Sequence, residues 1–298
     1  MTTHGNADID IRSITCPDPL VDFHVHLFPD RVFDAIWKQF VVDYGWPILH
    51  HLYYRECIEY LKSRGVGTIV YSNYAHREGI AIGLNEWNIR VLEEYPELYC
   101  FAAYHPGDDD ALSMAAELLE HPRILGFKLQ LLVQRFYPQD QRLFPLYEMV
   151  MAKGKRIQFH VGTGPVGNEY VGVAQFKKVL QQFPDLAATV SHMGALEYDA
   201  FGDLLDHYPN LYLDTAFAFI PQLGCMFNLG GDFLERHRDR IIYGSDFPNI
   251  IFPREVEIDT LLGVNLSSRF YERVFRDNGL RLIGTTDEKS CRNEKPPA

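Results

Sequence analysis

A chain of 298 residues with 47% hydrophobic and 23% charged residues has ordinary globular composition, and at this length it can bury about three quarters of its unfolded surface, which excludes intrinsic disorder for the main body. The formal net charge of −12 and pI near 5.4 oppose the basic patch that a nucleic-acid footprint needs, and no apolar run reaches the ~18 residues of a membrane span. Met1 to Arg12 is polar and lacks the apolar stretch of a secretory signal, and the five scattered cysteines (Cys16, Cys57, Cys100, Cys225, Cys291) form no Cys-x-x-Cys pair, so a reducing, cytoplasmic setting without nucleic-acid or membrane partners is expected.

Along the chain, short apolar runs rich in β-branched and aromatic residues alternate with amphipathic patterns at helical spacing. Strands are predicted at Leu20 to His26, Gly67 to Asn73, Tyr99 to His105, Ile124 to Gln130, Arg156 to Val161, Ala187 to His192, Leu211 to Thr215 and Arg240 to Ser245. Helices are predicted around Arg55 to Arg64, Ile80 to Tyr95, Asp109 to His121, Leu143 to Lys153, Val173 to Phe183, Leu196 to Tyr208, Asp232 to His237 and Ser267 to Asp277. At Tyr95-Pro96, Phe183-Pro184 and Tyr208-Pro209 a helix should stop before a proline that cannot continue it, with the next buried strand starting at once. Gly65 and Gly154 should end two more helices in a left-handed conformation.

Near-continuous apolar strands separated by helices imply a parallel sheet covered by helices, and eight such units imply an α/β fold closed into a (β/α)₈ TIM barrel. Periodicity alone leaves an open doubly wound sheet as the alternative. A single barrel domain is expected over 19–284, between tails at 1–18 and 285–298. The longest connection, 28–54, reads as a lid-like insertion after the first strand that includes a small helix. Its aromatics, among them Phe28, Phe33, Trp37, Phe40, Tyr44 and Trp46, either roof a site or pack the loop down as a satellite core.

The polar residues at the strand ends carry the chemistry. In Asp22-Phe23-His24-Val25-His26, period-two alternation predicts Asp22, His24 and His26 on one face. Two stacked imidazoles can bind one metal, although a lone His-x-His says little. The fifth strand ends in Gln158-Phe159-His160, the sixth in Ser191-His192-Met193-Gly194, and the eighth runs into Gly244-Ser245-Asp246-Phe247-Pro248. Each group falls where an apolar strand gives out at its C-terminal end, the rim on which barrel enzymes assemble their sites. Buried imidazoles and carboxylates need partners, and one divalent cation serves them all. The donor set suits Zn²⁺ best, with Mn²⁺ and Fe²⁺ as alternatives.

In this combination and order the motifs resemble the amidohydrolase superfamily, in particular the amidohydrolase family 2 type of metal-dependent hydrolase, from about Val21 to Gly284. The resemblance implies that His24, His26, His160 and Asp246 are metal ligands and that Asp246 also takes a proton from the attacking water. It makes His192 either a ligand of a second metal or a hydrogen-bond partner orienting water and substrate. Lys128, in Gly126-Phe127-Lys128-Leu129, is either a carboxylated lysine bridging two metals, as in dihydroorotase and phosphotriesterase, or a free cation that offsets Asp246 or grips a substrate carboxylate. Its side chain should share a face with Gln130. Many relatives carry His where this chain has Gln130.

The expected reaction is hydrolysis of an amide, lactone or ester of a small molecule. The alternative is a mononuclear decarboxylase or hydratase acting on an aromatic or unsaturated acid, chemistry the same family includes. A third reading, a barrel that binds without catalysis, conflicts with an intact ligand set. Asn73, His105, Arg135, Tyr137, Asn168 and Phe217, each just beyond a strand, are candidate substrate contacts. His76, His121, His207 and His237 read as surface residues, and a homodimer is a family-level expectation.

Overall fold

The computed structural model describes residues 16–284; of the expected tails at 1–18 and 285–298, all but residues 16–18 lie outside the described residues. Eight strands, β1 (Leu20–His26), β2 (Val66–Ser72), β3 (Tyr99–Ala103), β4 (Ile124–Gln130), β5 (Arg156–His160), β6 (Ala188–Val190), β7 (Leu211–Asp214) and β8 (Ile241–Ile242), form one parallel sheet in sequence order. The sheet closes on itself: Phe23 N donates to Tyr243 O at 3.0 Å, Asp246 N to His24 O at 2.8 Å and His26 N to Phe247 O at 2.8 Å. The fold is a (β/α)₈ barrel, not an open sheet.

The helices are α1 (Asp30–Tyr44), α2 (Tyr54–Ser63), α3 (Ala81–Glu94), α4 (Ala111–Leu119), α5 (Leu131–Gln134), α6 (Phe144–Ala152), α7 (Val173–Gln182), α8 (Tyr198–His207), α9 (Gly230–His237), α10 (Arg254–Leu262), α11 (Ser268–Glu272) and α12 (Asn278–Leu282). Helices α3, α7 and α8 stop one residue before the proline-preceding Tyr95, Phe183 and Tyr208, whose backbones turn extended while their N–H groups still bond back into the last turn. Gly65 and Gly154 follow α2 and α6 with φ of 82° and 61°, the left-handed conformation that releases a helix into a strand.

Two local features of the strands govern where side chains point. Between Asp22 and Val25, β1 advances three residues while β2 advances two, from Ile69 to Tyr71. This bulge breaks the expected alternation. His26 pairs opposite Ser72, whereas Asp22 lies opposite Ile69 of the helix-facing core, so Asp22 does not join the imidazoles. Gly126 on β4 has φ 141°, and a Cβ there would meet Arg156 O at 1.7 Å; only glycine lets β4 lie this close to β5.

The segment after β1 folds largely as α1. Phe28, Phe33, Trp37 and Ile48 pack with Tyr74, Ala81 and Leu84 into a satellite core, while Phe40, Tyr44 and Trp46 turn toward a cavity at the C-terminal mouth of the barrel. Phe40 does both, packing against the satellite core and lining the cavity.

Candidate active site at the C-terminal rim

Four imidazoles and a carboxylate lie at the mouth, delivered by three devices: a bulge, a strand end and left-handed residues beyond strands. His24 and His26 stand past the bulge of β1. Gly244 lets His24 approach β8, since a Cβ at 244 would lie 2.4 Å from His24 Cβ. His160 is the last residue of β5. His192 lies beyond β6, which stops at Val190, and sits in a left-handed turn with φ 60°. Asp246 also adopts a left-handed conformation, φ 62°, after β8 ends at Ile242.

The distances define one tight cluster. His24 Nε2 and His26 Nε2 are 3.2 Å apart, and both lie near Asp246 Oδ1, at 3.1 and 3.0 Å. His24, His192 and Asp246 each offer one atom within 4.8 Å of the others. His192 Nε2 is 3.1 Å from His160 Nδ1.

Each imidazole faces a fixed acceptor with its outer nitrogen. His24 Nδ1 is 3.0 Å from Asp214 Oδ2, His26 Nδ1 is 3.4 Å from Ser72 O, His160 Nε2 is 3.0 Å from Gly164 O and His192 Nδ1 is 2.9 Å from Ala216 O. His160 and His192 face carbonyl oxygens with their outer nitrogens, so a proton held there leaves their inner lone pairs aimed at each other. His160 Nδ1 and His192 Nε2 thus face each other as two acceptors without a donor, an arrangement that a cation relieves. Outer nitrogens bound to carbonyls or carboxylates are how metal-binding histidines are oriented. Ligands ~2.0–2.1 Å from a tetrahedral ion lie roughly 3.3 Å from each other, close to the separations within the cluster. The residues therefore fit a divalent metal.

Electrostatics agree with this reading. Burial lowers the pKa of His24, His160 and His192, with the Lys128 ammonium adding to the effect in each, so the imidazoles favour the neutral, ligating form. Burial alone would raise Asp246, but His24 and His26 beside it hold its carboxyl below the usual range. Asp214, likewise buried, is held low by His24.

Lys128, fully buried on β4, donates to Ser191 Oγ at 3.0 Å, and its Nζ lies 3.3 Å from His24 Nε2. Burial pushes it down to about 8 against the opposing pull of Asp214 and Asp246. Gln130, two residues on, lines the cavity. Asp22 sits below the cluster, accepting from Ser245 N at 3.0 Å, Ser245 Oγ at 2.6 Å and His24 N at 3.3 Å. It ties β1 to the loop that carries Asp246.

Above the cluster lies a cavity of about 320 Å³ walled by Phe40, Tyr44, Trp46, Tyr74, Leu132 and Phe217. Of the six candidate substrate contacts, only Phe217 lines it. Phe217 has φ 58°, and its ring lies edge-on to His192 and stacks on Trp46 with centroids 5.8 Å apart. Asn73 is buried elsewhere, donating to Leu27 O and exchanging hydrogen bonds with Asn88. His105 accepts from Gly107 N and borders no part of the cavity. Tyr137 donates to Glu169 on an exposed loop. Arg135 and Asn168 line a separate groove of about 740 Å³. Sequence reasoning missed Asp214, Ser72 and Asn249. Asp214 was within reach, because Leu211-Tyr212-Leu213-Asp214 is another apolar strand ending in an acid. His237, expected at the surface, is buried against Phe233.

The barrel and its rim of imidazoles and carboxylates define an enzyme of the class that builds its site from the C-terminal ends of (β/α)₈ strands. The chain belongs to the amidohydrolase family: the Amidohydro_2 family model matches residues 21–285. A search of curated proteins returned no match. Among solved structures, the chain is similar to an uncharacterised TIM-barrel protein from Bordetella bronchiseptica, with 19% identity, TM-score 0.66, and 89% of this chain and 98% of that one covered. It is also similar to 5-carboxyvanillate decarboxylase from Novosphingobium aromaticivorans, in complex with manganese and a nitrobenzoic acid ligand, at 12% identity and TM-score 0.65, covering 89% and 96%. A third similar structure is a probable 2-pyrone-4,6-dicarboxylic acid hydrolase from Acinetobacter baumannii, at 14% identity and TM-score 0.62, covering 89% and 99%. These likenesses concern the fold. No helix among the described residues is long and apolar enough to cross a membrane.

Proposed function

We propose that the chain is a metal-dependent hydrolase that uses water to cleave an amide, lactone or ester bond of a small molecule. The observation that carries this is the gathering of four buried or part-buried imidazoles and Asp246 at one rim, each imidazole facing an outer acceptor with its other nitrogen. His24, His26, His160 and Asp246 would hold the ion and His192 would orient water and substrate. Zn²⁺ is the ion proposed first, with Mn²⁺ or Fe²⁺ next; manganese is the metal in the similar decarboxylase structure. When bound, such an ion acidifies water and polarises a carbonyl.

The remaining chemistry belongs to the chain. Asp246 accepts a proton from the attacking water as the new C–O bond forms, then returns it to the departing nitrogen or oxygen as the scissile bond breaks. Burial opposes its ionisation, and His24 and His26 beside it hold its carboxyl below the usual range for the first step. The aromatic walls exclude bulk water and hold the substrate against the cluster. Lys128 is read as a free amine, since Ser191 Oγ accepts from it and Asp214 and Asp246 offset its charge, so one ion per chain is the expected complement. Two ions retained per chain in zinc and bicarbonate would instead require a carboxylated Lys128.

A second reading, a decarboxylase acting on an aromatic acid, is favoured by the aromatic cavity walls. A panel of lactones, amides and aromatic carboxylates, followed for CO₂ release and for ¹⁸O uptake from water, tests the choice. Product labelled from water supports the hydrolase; CO₂ without label supports the lyase.

A further inference from the structure

The barrel closes between β1 and β8, and two sources of the rim cluster meet at this seam. His24 and His26 come from β1, and Asp246 comes from the loop after β8. As a sheet the seam is thin. Strand β8 is two residues long, β1 is bulged between Asp22 and Val25, and beyond Phe23 the two sides are joined by an isolated bridge between Val25 and Phe247. Regular strand pairing therefore does little to fix how far Asp246 stands from the two imidazoles.

A fully buried side chain crosses the seam instead. Asp22 Oδ1 accepts from Ser245 N at 3.0 Å and from His24 N at 3.3 Å, and Asp22 Oδ2 accepts from Ser245 Oγ at 2.6 Å. Ser245 Oγ in turn accepts from Phe247 N at 3.2 Å. Both chain neighbours of Asp246 are thus tied to Asp22, one directly and one through the hydroxyl, while Asp246 N donates to His24 O at 2.8 Å. Asp246 itself has φ 62°, a conformation that a non-glycine residue keeps only where its surroundings enforce it. Hydrogen bonds to an ionised carboxylate are among the stronger ones available for that purpose. The buried guanidinium of Arg254 offsets the charge of Asp22.

We propose that Asp22 and Ser245 are positioning residues, a staple across the closing seam that holds the Asp246 carboxylate against His24 and His26. Asp246 Oδ1 stands 3.1 Å from His24 Nε2 and 3.0 Å from His26 Nε2, so a seam that opens draws the carboxylate away from both imidazoles at once. The staple acts through Asp246 and makes no contact of its own with the imidazole rings. The inference rests on the proposed function in taking the rim cluster as a metal site.

Competition of the stripped protein with a chelator for Zn²⁺ tests it. Ser245→Ala removes the hydroxyl and leaves the charges of Asp22 and Arg254 in place; it should lower zinc affinity about 10–100-fold, the range for groups that orient a ligand. Val21→Ala, at the N-terminal end of the same strand, should lower the urea midpoint yet keep zinc affinity within about twofold of wild type, so that a loss of stability alone does not imitate the staple. Asp22→Asn turns the acceptor facing Ser245 Oγ into a donor and should also weaken zinc binding. The double variant should lose less than the product of the two single losses, because both act through one contact. Zinc affinity unchanged in Ser245→Ala, losses that multiply in the double variant, or an equal loss in Val21→Ala overturns the inference. Amide hydrogen exchange of the metal-free protein separates it from the proposed function. The N–H groups of Asp246 and His26, which bond across the seam, should exchange about tenfold faster in Ser245→Ala, while that of Thr215, bonded to Ile242 O on the other edge of β8, stays unchanged. Wild type that binds no zinc but shows this exchange pattern overturns the proposed function and keeps the staple; wild type that binds zinc without the pattern overturns the staple alone.

Discussion

The two ends of the barrel are built on opposite principles. At the N-terminal end Val21, Phe23, Val70, Phe101, Leu125 and Ile242 form a closed apolar cluster, with Phe23 and Phe101 edge-on at 5.9 Å. Arg156, the one cation in that layer that is buried at 8% exposure among the described residues, is satisfied by Thr189 Oγ1 at 2.8 Å and by the face of Tyr212. The C-terminal end gathers four imidazoles, two ionised carboxylates, a lysine and two unpartnered amides. Backbone strain follows the same division. Of six non-glycine residues with positive φ among the described residues, five (Arg135, His192, Met193, Phe217 and Asp246) lie between a strand's C-terminal end and the next barrel helix. Such conformations persist only where the surroundings enforce them, and they cluster where function requires an awkward aim. One end holds the fold together; the other is held in a state it would not choose.

Removing a prop from each end should therefore give different phenotypes. The largest effect is expected from Phe101→Ala at the N-terminal end. Deleting a fully buried ring should cost about 3–5 kcal/mol of stability in denaturant unfolding, while the protein that remains folded keeps its metal affinity. A variant that lost metal at unchanged stability would erase the division between the ends.

At the rim, Asp246→Asn should leave the unfolding midpoint nearly unchanged in metal-stripped protein and lower turnover by at least ~10²-fold, the scale of losing a general base. Turnover within a fewfold of wild type would assign the proton transfer elsewhere. A smaller effect is expected from Asp214→Asn, because Asp214 touches the imidazole of His24 and not the ion. Metal affinity should fall by about 10–100-fold, as for other groups that orient a ligating histidine, and a competition titration with a chelator reads it. No change would mean that His24 needs no partner to hold its tautomer.

The same division explains what could be read from the chain alone. Strands β1 and β4 match their predicted bounds to the residue, although each carries polar residues within its apolar run, Asp22 and His24 in β1 and Lys128 in β4. Strands β6 and β8 are shorter than predicted, Ala188–Val190 and Ile241–Ile242. Beyond these strands the backbone turns left-handed at His192 and Asp246, and periodicity carries no sign of that turn. The bulge that removes Asp22 from the face of His24 is invisible for the same reason. Strand ends bring His24, His26, His160, His192 and Asp246 to one rim, as their order in the sequence implied. A residue just past a strand, such as Asn73 or Arg135, faces the cavity or turns from it according to loop geometry, which the sequence does not print. Trp46 reaches the site from a connection whose fold depends on the packing of α1, which no local pattern encodes.

The central claim is that the rim cluster is a metal centre, and the most direct measurement is calorimetric titration of chelator-stripped protein with Zn²⁺ and Mn²⁺, with metal analysis of the product. Wild type should take up one ion per chain, His24→Ala and His160→Ala should each lose it or bind it far more weakly, and thermal stability should rise with metal in the wild type alone. Stripped protein that binds neither ion, or both variants binding it as the wild type does, would contradict the account.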